Sequence, residues 1–296
     1  MKSKLLPWLS APYVLWMALF VVAPVIVVVI YAFTTSDWTV TAQNFTGMFR
    51  YAAIFGRSFL LAAIATVVCI LIGYPTAYLL ARTPAGFRRI ANMLIMLPMW
   101  MNFLLRTYSW MFLLERNGLV NSVLRDIGFF SFLNGINSGL NGVLGTSLPT
   151  DVAYFGFLGS YGAVILGMVY NFLPFMILPI FSVIEKIDPK VIEAAQDLGA
   201  NNRQVFSKVI FPLSLPGVLS GVTMVFIPSV STFVISRLLG GGKTTLLGDL
   251  IEMQFTGSAY DPHVGSAVSL VMMVIVLVCM GIMNRFGEGE SEAVLL

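Results

Sequence analysis

The stretch from Asp188 to Gly217, DPKVIEAAQDLGANNRQVFSKVIFPLSLPG, is the longest part of this chain in which charged residues and helix-boundary signals occur together. Asp188 is suited to cap a helix, and Pro189 is suited to its first turn, where the missing N–H is not needed. Gly199 can end this helix in a left-handed conformation. The pattern therefore predicts a short helix and a tight turn between two strongly hydrophobic runs.

A second short helix is predicted directly after that turn, because Asn201 or Asn202 can cap its start. Pro212 and Pro216 are expected to end it and to begin the next hydrophobic run. In the first helix, four apolar residues fall on one face at spacings of three and four. They are Val191, Ile192, Ala195 and Leu198.

The composition places this segment inside a membrane protein. Of the 296 residues, 58% are hydrophobic and only 10% are charged, which is outside the usual range of soluble domains. A membrane-spanning helix uses about 20 residues, so the length suits an all-α membrane protein with about six spans. The predicted spans are residues 13–33, 58–81, 89–114, 161–183, 216–236 and 264–285.

The distribution of lysine and arginine predicts the topology. With the N-terminal residues 1–12 inside the cell, ten of these cations lie in inner segments and six in outer ones. The short cluster from Arg82 to Arg89 strengthens the bias. This multi-pass arrangement in the cell membrane puts the loop 185–215 and the tail 287–296 in the cytoplasm. Residues 13–286 form the transmembrane domain.

Several other functions have little support. The formal charge of +3 is too small to indicate nucleic-acid binding. A single histidine, His263, and two isolated cysteines, Cys69 and Cys279, give no basis for a metal site or a catalytic set. The run from Gly240 to Thr245 looks like part of a phosphate loop, but the pattern requires a glycine where Arg237 stands. No cofactor is therefore expected on this chain.

The segment carries a family resemblance. Glu193-Ala194-Ala195, Gly199 and the later Val209 with Phe211-Pro212 resemble the EAA motif of ABC importer membrane subunits, with Val209 and Phe211 replacing the usual isoleucine and leucine. The resemblance implies a type I importer permease fold, whose cytoplasmic coupling helix docks on a dimer of separate ATPase subunits that use ATP and Mg²⁺. The implied coupling residues are Glu193, Ala194, Ala195, Asp197, Gly199 and Ala200. From the residues alone, an amphipathic helix resting on the membrane surface is the alternative.

A wider resemblance covers spans two to six and is similar to the spermidine/putrescine permease subunits of ABC importers, nearer the B-type. It rests on residues 73–78, 97–108, 173–176, 182–188 and 247–255. It implies polyamine import, a second, different permease subunit and an extracytoplasmic polyamine-binding protein. Related permeases for iron, thiamine or other small solutes share the EAA motif. A stand-alone secondary transporter and a membrane scaffold or receptor are the other classes.

A polyamine is a flexible multivalent cation, which acidic groups and aromatic faces can hold. The candidate residues for its path are Trp100, Tyr108, Trp110, Tyr170, Asn171, Asp249 and Glu252. The aromatic residues have a second interpretation as anchors at the membrane interface. Arg106 is the one charge within a predicted span, so we expect it to pair with an acidic group inside the helix bundle or to extend outward.

The long loop between the third and fourth predicted spans divides into two parts. Residues 117–128 are typical of a short capped helix. Residues 129–160 are rich in glycine, asparagine, serine and phenylalanine. We expect an outward-facing insertion, partly re-entrant, that could meet an extracytoplasmic partner. A flexible spacer is an equal alternative.

Overall fold

A computed structural model of the chain describes residues 6–144, 147, 149–257 and 259–293, and it is built from helices over these residues. The α-helices are α1 (Leu6–Met17), α2 (Ala23–Ala32), α3 (Gln43–Thr46), α4 (Ala52–Ala81), α5 (Ala85–Trp100), α6 (Phe103–Leu114), α7 (Leu119–Asp126), α8 (Phe129–Leu144), α9 (Tyr161–Ile184), α10 (Pro189–Asp197), α11 (Asn202–Val205), α12 (Phe211–Ser231), α13 (Val234–Leu239), α14 (Leu247–Thr256) and α15 (Pro262–Ala293). Two π-helical turns, Ala18–Val22 and Phe206–Ile210, and one 3₁₀ segment, Gly47–Tyr51, join neighbouring helices.

Within the described ranges, five helical runs are long and apolar enough to span a bilayer, and a bent pair of helices brings the number to six. The five runs are Pro12–Ala32, Gln43–Ala81, Tyr161–Ile184, Asn202–Ser231 and Pro262–Met283. An all-α membrane fold with about six spans is therefore confirmed. Large apolar side chains of these runs lie on the outside of the chain, as a lipid environment requires.

The third predicted span is not one helix. Residues 89–114 are divided between α5 and α6, and the run Phe103–Asp126 that begins with α6 is bent by 91° from α5. Met101 is extended, and the side chain of Asn102 accepts a hydrogen bond from the backbone N–H of Leu104 at 2.8 Å. Asn102 is therefore the N-cap of a new helix, a signal that the hydrophobicity of the surrounding residues obscures.

The fifth predicted span, 216–236, is also shifted. Its helix continues without interruption from α11 through the π-helical turn and ends at Ser231. The backbone of the next residue, Thr232, is extended. Pro212 and Pro216 do not end the preceding helix, since Pro212 lies in the first turn of α12 and Pro216 lies within it. The π-helical turn has shifted the hydrogen-bond register before Pro212, so the absent proline N–H breaks no run of α-helical bonds.

Helix α9 is the centre of the main core and packs against both α4 and α12. Its Met168, Met176 and Ile180 are completely buried. Contact with α12 is close because that helix presents glycines: a Cβ atom at Gly217 would come within 2.9 Å of the carbonyl oxygen of Pro179. Small residues allow such backbone approach between membrane helices, where apolar burial gives little driving force.

A second, smaller core holds α14 in place beside α15 and the start of α4. Its buried members include Leu247, Leu250 and Ala267. The backbone N–H of Leu247 donates to the hydroxyl of Ser58 at 2.8 Å, which fixes the first turn of α14 against α4. Any acidic residue in this turn therefore has a defined position relative to the spans.

Candidate coupling segment and solute path

The EAA segment, Asp188–Phe211, begins as its sequence predicts. The Asp188 carboxylate accepts a hydrogen bond from the backbone N–H of Lys190 at 2.9 Å, and Pro189 occupies the first turn of α10. Gly199 follows the helix with φ +86°, a conformation that glycine adopts at little cost. The cap, the first turn and the left-handed glycine are thus all confirmed.

The second helix of the segment begins with a reciprocal pair of hydrogen bonds. The backbone N–H of Asn201 donates to the Gln204 side chain at 2.9 Å, and the backbone N–H of Gln204 donates to the Asn201 side chain at 2.9 Å. This is a capping box, and it selects Asn201 over Asn202 as the cap. The turn between α10 and α11 is therefore locally determined.

The inner side of the EAA segment packs on the membrane domain through apolar residues. Ile192, Ala195 and Ala200 contact the main core, and Val205 and Ile210 are buried within it. The predicted apolar face is only half used, because two of its four members point away from the core. They are Val191 and Leu198, of which Leu198 is 90% exposed.

The outer side of α10 combines charge, small residues and an uncovered apolar side chain. Glu193, Ala194 and Asp197 are exposed, and Leu198 lies beside them at the end of the helix. Alanine lets another backbone approach closely, a carboxylate offers a charge-assisted bond, and an exposed leucine contributes buried area on binding. This surface is suited to contact with a second protein.

An aromatic joint, formed by Tyr74, Tyr78, Phe206 and Phe211, connects the EAA segment to α4 and includes none of the predicted site residues. The ring of Phe206 lies 5.9 Å from that of Tyr74 and 5.2 Å from that of Tyr78, and the ring of Phe211 lies 5.7 Å from that of Tyr74. The two tyrosines are four residues apart on one helix face, a spacing that could have indicated a shared contact.

A buried hydrogen bond strengthens the same joint. The Tyr74 hydroxyl lies 2.8 Å from the Ser214 hydroxyl, which itself donates to the carbonyl oxygen of Phe211 at 2.9 Å. Because Ser214 has one proton to give, the tyrosine is the donor in this chain of bonds. The end of the EAA segment and the start of α12 are therefore tied to the last third of α4.

One ion pair lies near the same end of the bundle. Arg88, at the start of α5, is 3.3 Å from the carboxylate of Glu185 at the end of α9. Both side chains are partly exposed, so the pair adds little to the free energy of folding. It does set the relative position of α5 and α9 immediately before α10 begins.

The structure brings together two of the predicted aromatic path residues. The rings of Trp110 and Tyr170 lie 5.3 Å apart, edge to face, where α6 meets α9. The adjacent Asn171 is buried and donates to the carbonyl oxygen of Gly167 at 2.9 Å. Its side-chain oxygen has no hydrogen-bond partner among the described residues.

The other two predicted aromatic residues lie apart from this pair. Trp100 is 77% exposed at the end of α5, immediately before the 91° bend, and Tyr108 is exposed on α6. Neither ring contacts another aromatic ring in the described part of the chain. Their positions fit contacts with lipid or another subunit as well as contact with a solute.

The two predicted acidic residues line one polar cavity of about 220 Å³. Asp249 is buried in the first turn of α14 and accepts a hydrogen bond from the backbone N–H of Leu246 at 2.9 Å. Glu252 lies 3.1 Å from Arg237, which belongs to α13. Helix α13 also contacts α6 and α9, the two helices that carry Trp110 and Tyr170.

Burial raises the pKa of the Asp249 carboxyl above its ordinary value. Hydrogen bonds from Ser236 and from the Leu246 backbone, together with the positive charge of Arg237, oppose this effect, and the charge of Glu252 adds to it. The carboxylate thus carries a desolvation cost that a bound cation would reduce.

Arg106 is a buried cation whose hydrogen-bonding groups are only partly satisfied by the described part of the chain. It is 8% exposed on α6, and its Nε and Nη1 atoms find no hydrogen-bond acceptor among the described residues. The expected acidic partner is therefore not supplied by the part of this chain that the structure describes. A guanidinium in this state needs an acceptor from water, solute or a second chain.

Comparison with known proteins gives the family. Residues 69–288 match the model of the family described as "Binding-protein-dependent transport system inner membrane component". The chain is 37% identical over 268 residues to the spermidine/putrescine transport system permease protein PotB of Haemophilus influenzae, covering 88% of this chain and 86% of that protein. It is 33% identical to the protein of the same name from Escherichia coli K12, with 88% and 90% covered.

Two solved structures share the fold. The first is a bacterial ABC transporter involved in import of the acidic polysaccharide alginate, with a TM-score of 0.77 at 16% identity, covering 97% of this chain and 96% of that one. The second is the MetNI methionine ABC transporter, with a TM-score of 0.53 at 17% identity, covering 83% and 98%. From the family match and these relatives together, the chain belongs to the inner membrane components of binding-protein-dependent transport systems.

Proposed function

We propose that this chain is one permease subunit of an ATP-driven importer that carries polyamines such as spermidine and putrescine into the cell. The observation that carries the proposal is the exposed outer side of α10, held on a helical membrane domain by a locally determined turn. The names of the similar permeases support polyamines as the substrate class. The chain contributes a route through the membrane, and hydrolysis belongs to a separate ATPase subunit.

Coupling begins at the outer side of α10. Glu193, Ala194 and Asp197 contact one subunit of an ATPase dimer, which binds ATP and Mg²⁺ in the cytoplasm, and Leu198 is buried by that contact. When ATP draws the two ATPase subunits together, α10 moves with its partner. The aromatic joint transmits the displacement from Phe206 and Phe211 to α4, so that the route opens alternately to each side.

A second permease subunit completes the route. Arg106 supports this step, since its buried guanidinium lacks an acceptor among the described residues of its own chain. An acidic residue or a row of backbone carbonyls from a different permease would satisfy it. The N- and C-terminal ends of the chain lie in the cytoplasm, as the lysine and arginine distribution predicts. An extracytoplasmic binding protein delivers the solute on the opposite side.

The polar cavity and the aromatic pair give the route its preference for cations. An ammonium group over Trp110 or Tyr170 gains about 0.5–2 kcal/mol. At the cavity, Asp249 and Glu252 present two carboxylates against the single guanidinium of Arg237. Separated weak sites of this kind allow a multivalent chain to move from one to the next, whereas one tight site would hold it.

Reconstitution tests the function directly. The purified chain, with its co-purifying permease and ATPase, is placed in vesicles with the polyamine-binding protein outside and ATP inside, and labelled spermidine uptake is measured. We expect uptake that requires ATP. Equal uptake with ADP and a proton gradient would indicate a secondary transporter. ATP-dependent uptake of iron or thiamine without polyamine uptake would reject the substrate class and leave the importer intact.

A further inference from the structure

The α7–α8 segment, residues 119–144, is held to the returning chain, residues 149–155, by asparagine side chains. Asn134 of α8 forms two bonds with one residue of the returning chain: its amide donates to the carbonyl oxygen of Val152 at 3.1 Å, and its oxygen accepts from the Val152 backbone N–H at 2.9 Å. One turn later, the Asn137 amide donates to the carbonyl oxygen of Pro149 at 2.7 Å.

The preceding helix uses the same device. Asn121 of α7 is buried, and its oxygen accepts from the backbone N–H of Phe155 at 2.7 Å. Its amide donates to the carbonyl oxygens of Glu115, at 2.9 Å, and of Phe155, at 3.3 Å. The inner faces of both helices therefore present asparagines that bind the backbone of residues 149–155, beside the buried Phe130. A flexible spacer, one of the two predictions for this loop, does not describe such a segment.

The outer faces of the two helices are apolar. On α8, Phe132 is 67% exposed, and Ile136 and Leu140 follow it at helical spacing on the same side. At the C-cap of α7, Ile127 is 69% exposed, in line with Leu119 and Val123 of the helix. At 100° per residue, Phe132 lies nearly opposite Asn134 and Asn141. The segment is thus inverted relative to a helix on a water-soluble protein, which turns its polar face outward.

The charge distribution indicates what covers this face. Residues 127–150 contain no charged side chain, whereas Arg125, Asp126 and Asp151 stand at the two ends of this run. A solute-binding protein docks and leaves, so it would leave Phe132 and Ile136 in water for part of each cycle. The bilayer gives permanent cover, and the segment is joined to membrane helices at both ends, α6 before it and α9 after it.

We propose that α7 and α8 lie in the plane of the membrane interface, with Phe132, Ile136 and Leu140 inserted among the lipid acyl chains. The asparagine face then points toward the protein and keeps the return chain, residues 149–155, above the bilayer. Arg125, which lies on the same side of α7 as Asn121, is exposed on the polar face, where an interfacial helix carries its cations. The predicted topology assigns this interface to the outer leaflet.

Lipid accessibility of single cysteines tests the proposal. Cys69 and Cys279 are first replaced by alanine in the full chain, which is purified with its partners and reconstituted in vesicles. Three variants, Phe132→Cys, Ile136→Cys and the control Ser138→Cys, are each labelled with a nitroxide. Ser138 is exposed on the same helix but lies away from the apolar stripe. Relaxation by oxygen, which concentrates in lipid, is compared with relaxation by a water-soluble nickel chelate.

We expect labels at 132 and 136 to be relaxed several-fold more by oxygen than by nickel, with the reverse order at 138. Strong nickel relaxation at 132 and 136 would place the stripe in water and overturn the proposal. Protection from both reagents would show that a protein, either the second permease or the binding protein, covers the stripe, and would overturn it as well. Unchanged co-purification of the partners confirms that each variant has folded.

Discussion

Two segments of this chain have the same outline, a pair of short helices between membrane spans, and opposite chemistry. The EAA segment is anchored by the apolar side chains of Ile192, Ala195 and Val205, and it leaves carboxylates free. The α7–α8 segment is anchored by the amides of Asn121 and Asn134, and it leaves phenylalanine free.

The difference shows that the residues by which a loop helix is anchored indicate whether its other face meets water, protein or lipid. An apolar anchor uses up the apolar residues, so a charged and small-residue surface remains for water or a protein. A polar anchor uses up the hydrogen-bonding groups, so an apolar surface remains that only lipid or a permanent partner can cover. The predictions below test this contrast, beginning with the largest expected effect.

The strongest test of the EAA segment changes its turn or its charge. Gly199→Val forces a branched residue to φ +86°, at a cost of at least about 1–2 kcal/mol, and shifts α10 relative to α11. Glu193→Lys reverses the charge of the contact surface. We expect both to abolish ATP-dependent uptake in vesicles while the chain still inserts. Gly86→Val, at an exposed glycine with no heavy atom within 4 Å of its Cβ position, is the control. Normal uptake by either variant would contradict the coupling role.

The next test removes the aromatic joint. Phe206→Ala deletes a partly buried ring that contacts Tyr74 and Tyr78, and we expect a loss of about 2–4 kcal/mol in unfolding free energy. We expect the variant to bind the ATPase subunit normally but to transmit its motion to α4 poorly. The reconstituted complex should therefore hydrolyse ATP without matching solute uptake. Phe206→Leu, which restores apolar volume, should recover stability more than transport. Coupled transport in the alanine variant would show that the joint is only structural.

A third test addresses the polar anchor. Asn134→Ala removes two hydrogen bonds to Val152, worth about 1–3 kcal/mol together, and should free the return chain. The measurement is amide hydrogen exchange at residues 149–155, which should accelerate, with no change in the EAA segment. Ser131→Ala, on the exposed side of the same helix, is the matched control. Unchanged exchange in the asparagine variant would remove the basis for the contrast.

The smallest expected effect depends on pH. Because the pKa of Asp249 is raised in the folded protein, the folded state binds this proton more readily than the unfolded chain. Its ionised form therefore lowers stability at neutral pH, and this cost disappears as pH falls through the raised pKa. The melting temperature of the wild type should rise relative to that of Asp249→Asn from about pH 7 to about pH 4. A constant difference would show that burial does not govern this carboxyl.

Sequence reasoning succeeded where the signals were local. Asp188, Gly199 and Asn201 each act on neighbouring backbone groups, so their roles follow from position alone. The prediction of the third span as one helix was wrong because Asn102, the N-cap that divides it, lies inside an apolar run. The asparagines of α8 were also missed, although their spacing of three and four matches that of a helix face.

Contacts distant in sequence were the other limit. No local pattern indicates that Tyr74 donates to Ser214, 140 positions later, or that α13 joins α6, α9 and α14. These contacts depend on how whole helices pack. For the candidate path, the pairing of Trp110 with Tyr170 follows from the crossing of α6 and α9. Trp100 and Tyr108 are also aromatic, but they have no ring partner among the residues that the structure describes.

The glycines of α12 set the pattern of mutational tolerance along this chain. A methyl group at Gly217 would meet the carbonyl oxygen of Pro179 at 2.9 Å, and one at Gly221 would meet the Met176 sulfur at 2.7 Å and its carbonyl oxygen at 3.2 Å. The backbone oxygens cannot move aside as a side chain can. Met224, which is 52% exposed on the same helix, should accept most apolar replacements. In a full substitution scan, the least permissive positions of α12 will therefore be those with the smallest side chains.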